Sequence, residues 1–428
     1  RLKVLGDALV GLDVECLSTR ELAHAFTKLL RDCFHGWDLL YWFTQAAALP
    51  LLEKACRDWL GDRSLTIGYR LFSALGRLPE TEIGLTLWHL AELAHGDRDT
   101  EVVLLSENGW RQVRAKLGHT ERGRQFLVTW DAFMSEHGHH CRAEIELFNA
   151  RWSETPDYIL DLVRGYVRAM DRFNPVENQR GLAQEREQLT EQCRRRLKNP
   201  VKRWIFSRSL GRAQNLAINW EESKNQAIRR IAVLRRILRL LGERLWREGV
   251  LAQPDDIFFL ELAEIEPVSN SQGHSDLRAL IEKRRKEYER NHTLTPPAVV
   301  VGRFDWNTQA AGAEDVSPKI WDGIPVFPGV VTGPARVILH SDDQQQVVPG
   351  EILVAPFTDP GWTPYFIAAA GAVIDQGGIL SHGSIIAREY GLPTVTNTGS
   401  ATRGLRTGDL VQVDGNRGRV TLLGCCSD

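Results

Sequence analysis

Residues 377–393 read GGILSHGSIIAREYGLP and set one histidine, His382, between a diglycine and a helix-like pattern. Ile385, Ile386 and Tyr390 recur at helical spacing, and Gly391 with Pro393 supplies a stop signal. Ser381 is a good N-cap residue, which puts His382, Gly383 and Ser384 in the first turn, where backbone N–H groups lack intrahelical acceptors. That end of a helix carries the positive pole of its dipole and readily receives an anion. A histidine there is suited to holding a phosphoryl group. The plain alternative is an ordinary exposed histidine in a helix cap.

Three further constellations could carry chemistry. The loop 136–146, EHGHHCRAEIE, gathers His137, His139, His140 and Cys141 with Arg142 and Glu144. Zinc is one reading. Adjacent ligands on one short loop fit tetrahedral closure poorly, however, and no Cys/His pair elsewhere has the usual spacing, so no metal site is expected. A polar loop lining an active-site cleft fits better, and an inert surface loop stays open. Glu221 and Lys224 are three apart and share one helical face. They form either a solvated ion pair or, facing a cleft, a cation for a transferring phosphoryl group and a carboxylate that accepts a hydroxyl proton. The segment 355–365, APFTDPGWTPY, reads as a rigid strand-to-helix loop whose Thr358 and Asp359 could hydrogen-bond a neighbouring loop or helix end. There is no P-loop, Rossmann fingerprint or serine nucleophile elbow.

The elements that must position these residues fall into two grammars. Up to about residue 265 the pattern is helical: 18–33, with Ser18 and Glu21 at capping-box spacing, then 80–95, 121–136, 156–171, 181–196 and 221–248. In the last of these Ile228, Ile231, Leu234, Leu238, Leu241 and Leu245 form one apolar stripe. Its flank, 194–247, is rich in arginine; a solvated helix face, a nucleic-acid surface or a surface facing a phosphorylated ligand all remain open. A charged helix over 276–295 leads into a Pro/Gly/Ala-rich stretch, and strand and turn signals then dominate. We expect a mostly α-helical substrate-binding domain (1–295), a linker (296–323) and a small α/β domain (324–428).

The composition excludes several classes. A net charge of −2 with 25% charged residues gives no global attraction to nucleic acid or anionic membrane. The longest charge-free apolar run, 39–52, is too short to span a bilayer and contains Gln45 and Pro50. No signal peptide is legible, and seven scattered cysteines build no disulfide framework, so a cytoplasmic location is expected. The chain opens on Arg1 without methionine and reads as a portion of a longer protein.

The stretches FPGVVTGPARV, GEILVAPFTDPGWTP, GGILSHGSIIAREYGLPTV and GDLVQVDGNRGRV, in that order across 324–423, resemble the swivelling phosphohistidine domain of the phosphoenolpyruvate synthase and pyruvate phosphate dikinase superfamily. Upstream, LFSALGRLPETEIGLTLWHLAELA, EHGHHCRAEIELFNARWSETPDYIL and LWREGVLAQPDDIFFLELAEI are similar to the helical substrate domain of the rifampicin phosphotransferases. The resemblance implies that His382 is a phosphocarrier. It would receive the β-phosphoryl group of ATP from an ATP-grasp domain and deliver it, after a domain swing, to a hydroxyl of a small molecule such as an antibiotic or other natural product. ATP and Mg2+ would belong to that ATP-grasp part, upstream in the full protein or on a separate chain, with no cofactor held by the residues here.

The same resemblance gives Ser381, Gly383 and Ser384 the support of the phosphate at the helix N-terminus. Lys224 and Glu221 become candidates for electrostatic support and base at the acceptor. Two departures stand out: Ser381 where the family often has Thr, and Trp220 where it carries Arg in an Arg-Glu-x-x-Lys run. Trp37, Trp42, Phe43, Trp88 and Trp130 could shape a pocket for a bulky substrate or serve as core. Two alternatives stay open: phosphorylation-driven dehydration or condensation in a biosynthetic pathway, and a phosphocarrier module without catalysis of its own.

Overall fold

The structure, a computed structural model, describes residues 14–34, 48–62, 66–76, 78–170, 174–270, 277–292, 319–340, 347–378 and 381–425. It is mostly helical with a C-terminal mixed sheet. The stretch read as linker lies outside the described residues up to 318, and so do Trp37, Trp42 and Phe43.

The chain divides into two compact units. The first takes the N-terminal helix α1 (Thr19–Phe34), the segment Ile145–Phe148 and the chain from Arg229 to Val316. The expected capping box starts α1: Ser18 N–H donates to Glu21 Oε2 at 2.8 Å, and Glu21 N–H to Ser18 Oγ at 3.3 Å. The apolar stripe of the long helix forms this unit's core. Leu234, Ile237, Leu238, Leu241 and Leu245 are buried with Leu22, Phe26, Ile257 and Phe259. Several arginines of the basic stretch close backbone ends. Arg235 donates to Phe148 O at 2.9 Å and lies over the Phe258 ring, while Arg244 donates to Glu15 O at 2.8 Å. The capping of orphan carbonyls accounts for these two without a ligand.

The second unit holds helices α2 (Ala48–Leu60), α3 (Thr66–Arg70), α4 (Pro79–His95), α5 (Arg98–Ser106), α6 (Trp110–Leu117), α7 (Glu121–His137), α8 (Pro156–Ala169) and α9 (Pro175–Arg196). It also holds the first part, to Ile228, of α10 (Pro200–Arg247), while α11 (Leu262–Ser269) and α12 (Leu277–His292) belong to the first unit. That helix is continuous for 48 residues, starting well before the predicted 221, because 201–220 holds no proline, tolerates its lone Gly211 and buries Phe206, Leu210 and Ala213 on one face. Ile83, Leu87, Leu90, Leu93 and Ala94 are buried as their spacing predicts. Trp88 and Trp130 are fully buried in that same cluster, Trp130 stacked on Trp110 at 3.7 Å, so they are core and not pocket walls.

The sheet of this unit runs β1-β8-β7-β3-β4-β5-β6-β2, with strands Ile320–Asp322, Ile324–Phe327, Val330–Val337, Ile352–Ala355, Gly371–Ile374, Thr394–Thr396, Leu410–Asp414 and Arg419–Gly424 as β1 to β8. Pairs β3–β4, β4–β5 and β5–β6 are parallel and the rest antiparallel. Every residue of β4, β5 and β6 is buried, as parallel strands covered on both faces require. One face packs under α13 (Thr363–Ala368) and α14 (His382–Tyr390) through Phe366, Ile374 and Ile386; the other meets α15 (Ala401–Gly404) through Val354, Val373 and Ala401. The loop leaving β5 therefore delivers the chain to the start of α14, and His382 is that helix's first residue.

Candidate active site

His382 is mostly buried, at 7% exposure, and Ser384 has none. Ser381 takes the N-cap position but makes no capping bond. Its hydroxyl instead donates to Gly378 O at 2.8 Å and approaches Ser384 Oγ at 3.1 Å, while Ser384 Oγ donates to the same carbonyl at 2.7 Å. The expected cap is thus replaced by a knot that ties the glycine loop to the first turn, as serine hydroxyls do when a nearer carbonyl competes. Gly383 is needed for space: a Cβ there would lie 2.6 Å from Thr358 Oγ1. The far end closes on Gly391, left-handed at φ 68°, with Leu392 N–H returning to Ala387 O at 2.8 Å.

Across from the histidine helix, the loop after α7 is held by its own backbone. Trp152 N–H donates to His140 O at 2.9 Å and Ser153 N–H to Gly138 O at 3.0 Å. The fully buried Arg151 donates to Glu144 O at 3.0 Å and to Cys141 Sγ. This frame brings together most of the residues the sequence singled out. His140 Nδ1 pairs with Glu144 Oε1 at 2.5 Å, His139 Nε2 lies 2.6 Å from Asn225 Oδ1, and Arg142 lies 2.8 Å from His340 Nδ1. Lys224 Nζ sits between two carboxylates, 3.4 Å from Glu144 and 4.0 Å from Glu221. His137 is buried against Phe133, with ring centroids 5.1 Å apart, and its ring lies 6.2 Å from that of His140.

The electrostatics separate two buried carboxyls. Burial pushes Glu144 up, but the charges of His140, Lys224 and His382 and the bond from His140 overcome it and hold the carboxyl at about 2. Asp359 goes the other way. Burial, then the neighbouring Glu144 charge, raises it to about 7, against the pull of the Gly361 N–H, Arg142 and Lys224. Its Oδ1 accepts from Gly361 N–H at 3.0 Å, and its Oδ2 has no hydrogen-bond partner. Two buried acids that both feel the charge of Lys224 thus titrate far apart, Glu144 at about 2 and Asp359 at about 7. Asp359 was legible only as a loop hydrogen-bonder, because its burial and its neighbours come from the distant segment 142–144. Asn225 was not singled out at all, although it lies four residues after Glu221 on the same helical face.

Among the described residues no group of three or more His, Cys, Asp or Glu could hold a metal ion. Burial pushes the Cys141 thiol up to about 11. No described helix is long and apolar enough to cross a membrane.

Residues 40–221 match the family described as the rifampicin phosphotransferase fourth domain, and residues 347–418 match the mobile domain of PEP-utilising enzymes. The rifampicin phosphotransferase of Streptomyces sviceus is 31% identical over 87% of this chain and 43% of its own length. That of Bacillus cereus is 33% identical over the same shares. The chain belongs to the rifampicin phosphotransferase-like, PEP-utilising family. The prodigiosin synthesizing transferase PigC of Serratia marcescens is also similar, 29% identical over 96% of this chain and 47% of its own length. This rifampicin phosphotransferase-like chain spans less than half the length of each of these relatives. The mobile-domain match includes His382 and Asp359, and the fourth-domain match includes the loop carrying His139, His140, Arg142 and Glu144 as well as Glu221. Lys224 and Asn225 lie just beyond the latter's end.

Proposed function

We propose that this chain is the acceptor-binding and phosphocarrier portion of an ATP-dependent phosphotransferase acting on a small-molecule hydroxyl, an antibiotic or another natural product. A nitrogen of His382 attacks the β-phosphorus of ATP at an ATP-grasp domain outside this chain, in cis or in trans, where Mg2+ is also held. A P–N bond forms as the bond between the β-phosphorus and the AMP oxygen breaks and AMP leaves; water then takes the γ-phosphoryl group as inorganic phosphate, so the β-phosphoryl group stays on the histidine. The domain of 324–428 then swings about the stretch 296–323 to the acceptor. In the second step the acceptor oxygen attacks phosphorus, the P–N bond breaks, and the hydroxyl proton passes to a carboxylate, for which Glu221 is our candidate. Lys224 and Arg142 offset the charge of the moving phosphoryl group, and the first-turn amides of Gly383 and Ser384 release it. His139, held by Asn225, and the His140–Glu144 pair line the acceptor side.

The observation that carries this reading is the placement of His382, at a helix N-terminus, within electrostatic reach of a buried cation-and-carboxylate cluster contributed by the helical part. The test supplies an ATP-grasp partner of this family and β-labelled ATP, then looks for acid-labile phosphate. The label is expected on His382 and absent from His382→Ala, which keeps its fold. Acid-labile phosphate retained on that variant sinks the assignment.

A second reading rests on Trp220, half exposed beside Glu221 where the family carries Arg, and on the similarity to a prodigiosin synthesizing transferase. In it the phosphorylated acceptor goes on to lose phosphate in a condensation or dehydration. Phosphate found stably on the product supports simple transfer; a product that has lost water and carries no phosphate supports the second course.

A further inference from the structure

The histidine helix does more than present its first residue. Its last two residues, Glu389 and Tyr390, are joined to the helical part by a set of hydrogen bonds that bridges more than two hundred residues of sequence. Glu389 is 2% exposed. Its carboxylate accepts from Leu75 N–H at 3.1 Å, from Thr81 Oγ1 at 3.3 Å and from Gln179 Nε2 at 3.3 Å. Next to it, Asn178 Nδ2 donates to Tyr390 O at 2.9 Å, and the Tyr390 hydroxyl meets the Tyr166 hydroxyl in a buried pair. Gly84 leaves room for that hydroxyl, since a Cβ at 84 would lie 2.5 Å from it. All of these donors stand on helices or loops of residues 71–179, and none on the sheet.

We propose that Glu389 and Tyr390 form a latch that holds the phosphohistidine domain in the acceptor position. They are positioning residues, about 12 Å along a rigid helix from His382, so that fixing one end of the helix fixes the other. The chemistry suits a contact made and broken in each cycle. A carboxylate, an amide and a phenol hydroxyl all regain water when the domain leaves, whereas an apolar plug would cost its full burial on every departure. The buried carboxylate also supplies register: with the helix displaced by one turn, Glu389 would face no donor and would be left in a dry site. The inference rests on the swivelling reading given above, and its test does not use phosphoryl transfer.

The test measures how fast diethyl pyrocarbonate modifies His382 in the chain as it stands, by peptide mass spectrometry, with hydrogen exchange followed in parallel. In the wild type His382 is shielded and reacts slowly. Glu389→Ala is expected to accelerate its modification roughly tenfold or more and to speed exchange at the Leu75 amide, because the undocked population rises. Exchange in strands Ile352–Ala355 and Gly371–Ile374 should not change, which a merely structural role for Glu389 would not allow. Modification within about twofold of wild type, with the strands still protected, overturns the latch. If Glu389→Ala loses strand protection, the paired substitution Thr81→Val with Gln179→Ala decides, since it leaves the histidine helix untouched. It must expose His382 as well, and unchanged reactivity there overturns the proposal. Failure to find phosphohistidine would refute the functional reading and leave this result standing.

Discussion

Replacing Asp359 by asparagine isolates the electrostatics of the site. Moving a carboxyl from its ordinary 3.8 to about 7 costs on the order of 4 kcal/mol above neutrality, at about 1.36 kcal/mol per pH unit. The sign follows from proton binding. Between about 4 and 7 the folded chain holds a proton on Asp359 that the unfolded chain has released. The stability associated with Asp359 is therefore complete below about 4 and declines as pH rises toward 7. Asparagine has nearly the same shape, keeps an acceptor for the Gly361 N–H and carries no charge to bury. Asp359→Asn should therefore gain stability over wild type at pH 8, by a few degrees in melting temperature, and the gain should shrink at pH 5. Differential scanning fluorimetry at the two pH values, on wild type and variant together, reads this directly. Titrations of the histidines are common to both chains and cancel in the difference. A second arm uses Glu144→Gln, which removes the second of the two causes. In that background the gain should still set in at about 4, where the unfolded carboxyl titrates, but level off at a lower pH because Asp359 is raised less, and the gain at pH 8 should fall without vanishing, because burial is the larger cause. An Asp359→Asn chain no more stable at pH 8 than wild type refutes the reasoning.

The other predictions concern the same few residues. Lys224→Met leaves Glu144 and Glu221 without their shared cation; transfer from phosphorylated His382 to the acceptor should slow by about 10²–10³ while loading of His382 is unchanged, read by following label on protein and on acceptor separately. Gly383→Ala forces a methyl to within 2.6 Å of Thr358 Oγ1, so the helix start must shift; a cost of about 1–3 kcal/mol in thermal or urea unfolding is expected, with slower phosphorylation of His382.

Legibility from sequence followed the range of the forces involved. Helix and strand patterns are local, and the apolar stripe of the long helix, the capping box at Ser18 and the strands on either side of His382 were all readable. His382 was readable because glycines, a cap residue and a helix stop surround it within a few residues. The Ser381 cap failed because a carbonyl three residues back, at Gly378, was nearer to the hydroxyl than the helix amides it was expected to serve. Trp88 and Trp130 were ambiguous for a different reason: an aromatic side chain reads alike in a core and in a pocket until its neighbours are known. Asp359 and Glu389 were missed as functional candidates because what marks them is burial among partners far away in sequence. Leu75 and Glu389 are 314 positions apart, and no periodicity reports such a pairing.

On the proposed function, the charges around His382 also account for the carboxyls at a place that would receive a phosphoryl group. Glu144 is ionised, bonded to His140 and within 3.4 Å of Lys224, so it orients both without standing alone as a negative charge. Asp359 rides on the loop beside Gly383, within the same domain as His382, and near neutrality it can carry a proton. An ionised Asp359 would repel both Glu144 and the phosphoryl group; a neutral one repels neither. On that proposal, a domain that approached an anionic partner while loaded with an anion would gain from holding its own acid neutral in the docked position. The latch at Glu389 meets the same difficulty by distance: its carboxylate lies at the opposite end of the helix, where amide and hydroxyl donors receive it and the phosphoryl group is remote.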